Sequence, residues 1–174
     1  MPRDEKVGAS TIRPRREREQ SALALRDQPS NSERDQRGAA YHEAGHIVVA
    51  WVLRLAIGGA EIAIDSDPAR GATQIQDATH LSLLDQLAIC AAGLEAQKLF
   101  DAPTHEGAGW GDYGKMIELL DDVDESEDVG LVHQGHERAL ALLRPHLDII
   151  ERIAKALIER KCLDTDEVRD ILEG

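Results

Sequence analysis

Ala40-Tyr41-His42-Glu43-Ala44-Gly45-His46-Ile47-Val48-Val49-Ala50-Trp51 is the stretch on which the reading of this chain turns. The apolar residues Ala40, Ala44, Ile47, Val48, Trp51 and Leu55 recur at the spacing of a buried helical stripe, and Ser32 and Asp35 in an acidic lead-in mark where that helix begins. His42 and His46 then stand one turn apart and about 40° apart around the axis, so their imidazoles converge on one tetrahedral Zn²⁺. Glu43 stands between them. A carboxylate there takes the proton of a water whose pKa zinc lowers from near 16 to roughly 7, and the resulting hydroxide attacks a peptide carbonyl. The His-Glu-x-x-His pattern on a helix thus implies the chemistry of a zinc peptidase, with Glu43 as general base.

Composition sets the outer bounds. The 174 residues, 42% hydrophobic and 3% aromatic, suffice for one domain with an aliphatic core. His46 and Arg54 interrupt the most apolar segment and the amino terminus is charged, so the expectation is a protein with no membrane span and no export leader. Cys90 and Cys162 lack a paired Cys-x-x-Cys spacing and read as two buried thiols of a cytoplasmic protein. Residues 1–38 are about +2 and the remainder about −15. An acidic body without a basic cluster offers no track for phosphates, which excludes nucleic acid as a partner. Residues 1–31, with alternating charges and Pro2, Pro14 and Pro29, read as a disordered or loosely packed arm, and residues 32–174 as the folded domain.

The coarse pattern is mainly α, of the α+β kind, with a small two-stranded β element. A helix from about Ser32 to Leu55 is closed by Gly58-Gly59; strands Glu61 to Asp65 and Ala72 to Gln76 flank the turn residues Asp67-Pro68-Ala69-Arg70-Gly71. A second helix runs from about Leu81 to Phe100, and a third begins near Asp112 after a glycine-rich loop. An acidic break from Asp121 to Gly130 precedes two helices joined or kinked at Pro145, and a short helix spans about Asp166 to Leu172.

A catalytic zinc normally has three protein ligands, and the third is not obvious. A metzincin would carry glycine and histidine three and six residues after His46, where this chain has Val49 and Val52. A thermolysin-like glutamate about twenty residues on would fall in the strand segment, so a later helix must contribute.

In its ordered landmarks the chain resembles the peptidase domain of the FtsH-type AAA+ zinc metalloproteases. These are the motif with Val48-Val49-Ala50 after it, Asp85-Gln86-Leu87 opening a helix that reaches Ala91-Ala92-Gly93-Leu94-Glu95-Ala96, Gly111-Asp112-Tyr113, Glu137-Arg138-Ala139, and Leu163-Asp164 before Glu167-Val168. The resemblance implies a helical zincin-like domain in which His42, His46 and Asp112 bind Zn²⁺ and Glu43 is the base. Asp112 suits a helix N-cap and is a hard oxygen ligand, consistent with that role. It further implies unfolded polypeptide or peptides as substrate, allows a separate AAA+ unfoldase as partner, and leaves a homo-oligomer open. The chain departs from the family where Gln97-Lys98 replaces an acidic pair and where no P-loop or membrane anchor occurs, so the expectation is a stand-alone, ATP-independent peptidase. The alternative is an inactive metal-binding relative that acts as a regulatory or interaction module.

Other motifs read more plainly. Gly109-Trp110-Gly111-Asp112-Tyr113-Gly114 matches Gly-x-Gly-x-x-Gly but follows a loop, not a strand, which argues against a dinucleotide. His105 and Glu106 read as surface loop residues near Asp112, with a supporting or substitute ligand role as the alternative, His133 and His136 as a shared solvated face, His80 and His146 as polar residues at helix starts, and Trp51 and Trp110 as packing anchors, with Trp110 as a wall of the pocket the alternative.

Overall fold

A computed structural model describes residues 31–62, 71–104 and 109–174. The charged arm, His105, Glu106 and the second half of the first strand candidate lie outside the described residues. Six α-helices and three strands follow in order: α1 (Asn31–Val52), β1 (Ile57–Ile62), β2 (Gly71–Ile75), α2 (Leu83–Leu99), α3 (Trp110–Leu120), α4 (Glu125–Leu143), α5 (Leu147–Arg160), β3 (Cys162–Asp164) and α6 (Thr165–Glu173). The mainly helical expectation holds, as does the junction at Pro145, where a 3₁₀ turn over Arg144–His146 links α4 to α5.

Helix α1 is the axis of the domain. Ala40, Ala44, Ile47 and Val48 are fully buried, but so are Val49 and Ala50, so its middle is enclosed on all sides where a single stripe was expected. It packs on α2 and α5, with β2 along one flank. The crossing with α2 is close because small residues meet there: a Cβ at Gly45 would lie 2.7 Å from Ala96 Cβ and overlap the carbonyl oxygen of Ala92.

The end of α1 differs from the sequence expectation. Arg54 adopts a left-handed φ of 65°, and the amide of Leu55 bonds the Ala50 carbonyl at 2.9 Å, so the chain turns out of the helix before the glycines are reached. Gly58 and Gly59 belong to β1 instead. Gly59 sits at the bulge in the β1–β2 register with φ 156°, and a Cβ there would stand 2.8 Å from the Leu163 carbonyl oxygen.

The β element has three strands, not two. Its order is β2-β1-β3, antiparallel throughout, with Gly59, Ala60 and Glu61 opposite Asp164, Leu163 and Cys162. Three residues between two helices carry too little periodicity to be read as a strand, and β3 exists because β1 lies beside it. Asp164 then caps α6 through a capping box with Glu167. Cys162 is exposed on this strand and only Cys90 is buried, which corrects the reading of two buried thiols.

Helices α2 and α4 are tied by polar contacts. Arg138 Nε donates to Asp85 Oδ1 at 2.9 Å, and His136 Nδ1 lies 2.7 Å from Oε1 of the buried Glu95, which Lys98 Nζ also approaches at 2.6 Å. His136 is therefore an interhelical partner; of the two histidines read as solvated, only His133 is well exposed. His146 packs edge-on against Trp51, with ring centroids 5.2 Å apart. No helix of the described residues is long and apolar enough to cross a membrane.

Candidate metal centre

The residues expected to bind metal meet at one point. His42 Nε2 and His46 Nε2, one turn apart on α1, are 3.1 Å from each other, and Asp112 Oδ2 reaches in from α3 to 2.9 Å and 3.3 Å from them. Among the described residues this trio is the group of three His, Cys, Asp or Glu side chains that could hold a metal ion. Asp112 does not cap its helix. The N-cap is Gly109, in the left-handed conformation at φ 77°, and α3 begins at Trp110, so Asp112 lies within the first turn with its carboxylate free to face α1.

The outer ring nitrogens set the tautomers. His46 Nδ1 donates to the carbonyl of Ile89 at 2.9 Å, and His42 Nδ1 donates to Gln97 Oε1 at 3.2 Å. Both Nε2 lone pairs then point at each other and at a carboxylate oxygen, three acceptors with no hydrogen among them. Such a cluster calls for a cation at its centre. Tetrahedral Zn²⁺ with ligands near 2.1 Å spaces its donors by about 3.4 Å, close to the observed separations, and two imidazoles with one carboxylate are a donor set that zinc accepts.

Without the ion, a proton takes part of that role. Burial opposes charge on His42, but the Asp112 hydrogen bond, the nearby Glu43 and Asp112 charges and the Gln97 bond together raise its pKa above the ordinary value. Burial likewise opposes charge on Asp112, yet the hydrogen bonds to both histidines hold its carboxyl well below the usual carboxylate range. Cys90, beside the site, is pushed up to about 11 by burial and then by the Asp112 charge, which keeps it a thiol at neutral pH.

Glu43 is 5% exposed and leans on β2, where Thr73 Oγ1 donates to its Oε2 at 2.6 Å. The site opens into a cleft of about 1070 Å³ whose walls include β2, the start of α3 and Trp110. Trp110 is 74% exposed and lines the cleft, so it is a wall of the pocket, the alternative reading, and not a packing anchor.

No family model matches the chain. Among curated proteins it is 32% identical, over 81% of its length, to the ATP-dependent zinc metalloprotease FtsH 2 of Sphaerobacter thermophilus, of which the match takes in 27%. The chain is a homologue of part of the FtsH zinc metalloproteases. FtsH of Thermus thermophilus is 27% identical over 82% of the chain and 30% of its own length. FtsH 3 of Symbiobacterium thermophilum is 26% identical over the same shares. The chain thus spans less than a third of the length of the curated relatives it matches.

Three supporting residues of this FtsH homologue escape a reading of the sequence. Gln97 was visible only as a departure from the family's acidic pair, and Thr73 as one residue of a strand. Gly93 stood only as one letter of a landmark in the resemblance, yet a Cβ there would overlap the His42 ring. All three act across element boundaries, where sequence spacing carries no information.

Proposed function

We propose that this protein is a zinc metallopeptidase that hydrolyses peptide bonds in unfolded polypeptides or peptides. The observation that carries the reading is the convergence of His42 Nε2, His46 Nε2 and Asp112 Oδ2 in a cleft that also holds the buried Glu43. His42, His46 and Asp112 would hold Zn²⁺, which when bound would supply a Lewis acid strong enough to make a water lose its proton near neutral pH. Glu43 accepts that proton and returns it to the departing amine, as its place between the two ligands allows. With their Nδ1 hydrogens given to Gln97 and Ile89, His42 and His46 turn Nε2 to the site as the donor atom.

Substrate binding follows from the sheet. Among the described residues β2 pairs with β1 on one side only, and its residues Gly71, Ala72, Thr73 and Ile75 line the cleft. An extended polypeptide that adds to the free edge of β2 lies across the donor cluster, held by main-chain hydrogen bonds that tolerate many sequences. Folded proteins cannot present such a strand, so cleavage is confined to flexible chains and needs no ATP. The relatives are named ATP-dependent, and an AAA+ unfoldase is the class of partner that would bring folded substrates to this site. The free Cys90 and Cys162 fit a reducing cytoplasmic setting.

The test combines metal analysis with turnover. Purified protein is expected to hold about one Zn²⁺ per chain and to cleave casein or a flexible peptide in a chelator-sensitive way, with the activity lost in Glu43→Gln. A zinc-loaded wild type inactive on varied unfolded substrates would overturn the peptidase reading.

A further inference from the structure

We infer that Gln97 is the positioning residue that locks His42 in the tautomer whose Nε2 lone pair faces the metal site, an inference that rests on the zinc reading of that site. Gln97 is 2% exposed near the end of α2. Its Nε2 donates to the Gly38 carbonyl at 3.2 Å and to the Pro103 carbonyl at 2.9 Å, while its Oε1 faces His42 Nδ1 at 3.2 Å. Both amide hydrogens are therefore committed to carbonyls from two separate segments. Flipping the amide would set its oxygen against those two carbonyl oxygens and its hydrogens against His42 Nδ1–H, a heavy penalty in a buried place. The orientation is thus determined, and only an acceptor is offered to His42. Its Nδ1 must carry the hydrogen, and Nε2 must be the ligand atom.

The same geometry says why an amide stands here and not a carboxylate. A glutamate could accept from His42 but would bring no hydrogen to Gly38 and Pro103, and its charge would face two carbonyl dipoles. Gly38 lies one turn before His42 on α1 and has no room for a side chain, since a Cβ would overlap the Pro103 carbonyl oxygen. Gln97 therefore braces the backbone on both sides of the ring it orients. A neutral acceptor polarises the imidazole less than a carboxylate does, so His42 is a weaker zinc donor than it would be beside an acid.

The test uses Gln97→Met, similar in length but without hydrogen bonds, and Gln97→Glu. Zinc affinity is measured by chelator competition, the Tm of the metal-free chain by thermal melting, and the imidazole protons by ¹H–¹⁵N NMR. Gln97→Met is expected to weaken zinc binding by about 10- to 100-fold. It should also lose the protected His42 Nδ1 proton, while the His46 Nδ1 proton, bonded to Ile89, persists. Gln97→Glu is expected to restore that proton and zinc affinity to the wild-type level or above, while lowering the metal-free Tm. A Gln97→Met chain that melts earlier yet binds zinc like the wild type, with the His42 Nδ1 proton in place, would reduce Gln97 to a structural brace and overturn the inference. Should Gln97→Met fail to fold, Gln97→Glu decides alone, and a folded Gln97→Glu with markedly weakened zinc would overturn it. A metal-free wild type whose neutral His42 carries its proton on Nε2 would overturn this inference alone, whereas a wild type that takes up no zinc would overturn the reading of the site itself.

Discussion

Thr73 donates its hydroxyl hydrogen to Glu43 Oε2 across 2.6 Å, which ties the base proposed for this site to the strand proposed to receive substrate. Gly71, two residues earlier on the same face of β2, makes room for that carboxylate, because a Cβ there would overlap it. The strand and the base therefore form one unit. A hydrogen bond to a charged carboxylate is worth about 1.5–3 kcal/mol, so losing it should matter to turnover.

Thr73→Val removes the hydroxyl and keeps the shape of the side chain. Turnover of a flexible peptide should fall by about 10- to 100-fold, with zinc affinity unchanged, and Thr73→Ser should recover most of the loss. Steady-state kinetics with a parallel zinc titration checks this. An equal loss in both variants would show that Thr73 serves only the packing of β2.

Glu43→Gln should keep the metal, because Glu43 is outside the donor trio, and lower turnover by about 10² to 10⁴. The readouts are metal content and initial rate on casein. Undiminished cleavage in this variant would trace the activity to a contaminating protease.

Ligand substitutions should separate by kind. His46→Ala should abolish zinc binding, whereas Asp112→Ala should weaken it and leave the two-histidine face on α1 intact. Full affinity in Asp112→Ala would remove Asp112 from the ligand set.

Gly93→Ala tests the space behind His42. The added methyl overlaps the ring, so the imidazole must tilt away from Gln97, Asp112 and His46. Zinc affinity should drop by an order of magnitude or more although no donor is altered, and stability should fall by about 1–3 kcal/mol. Chelator competition and thermal melting measure the two effects.

Zinc and protons compete for His42, and the direction of its pKa fixes the pH dependence. In the metal-free chain that pKa lies above 6.5, so zinc affinity should begin to fall at a higher pH than an unperturbed histidine would give. Stability of the metal-free chain runs the other way. The raised His42 pKa contributes stability that is present below 6.5 and lost as pH rises through the folded value. The lowered Asp112 pKa contributes stability that is present above 3.8 and lost as pH falls below it. The metal-free chain should therefore gain most from this pair between about pH 4 and 6.5, and zinc should extend its stability toward neutral pH. Melting curves with and without zinc across pH 4 to 9 would show whether the two optima separate.

By itself the sequence determined what is local. The two histidines and the glutamate are carried by one helix, so the four-residue spacing alone sets their convergence, and the helical pattern around them is long enough to be read without a partner. Asp112 was reachable only by likeness to a known family, since nothing local says which of 33 acidic residues crosses from one helix to another. Only the tertiary structure decided the rest. It placed Asp112 in the first turn of α3 instead of at its cap, made β3 a strand by laying it against β1, took the glycines from the end of α1 into the sheet, and brought Gln97 and Thr73 to the ring and the carboxylate they hold. The physical reason is common to all of these. Spacing along the chain encodes which side chains share a face of one element, while a contact between elements depends on how the elements pack, and that is set by the whole core at once.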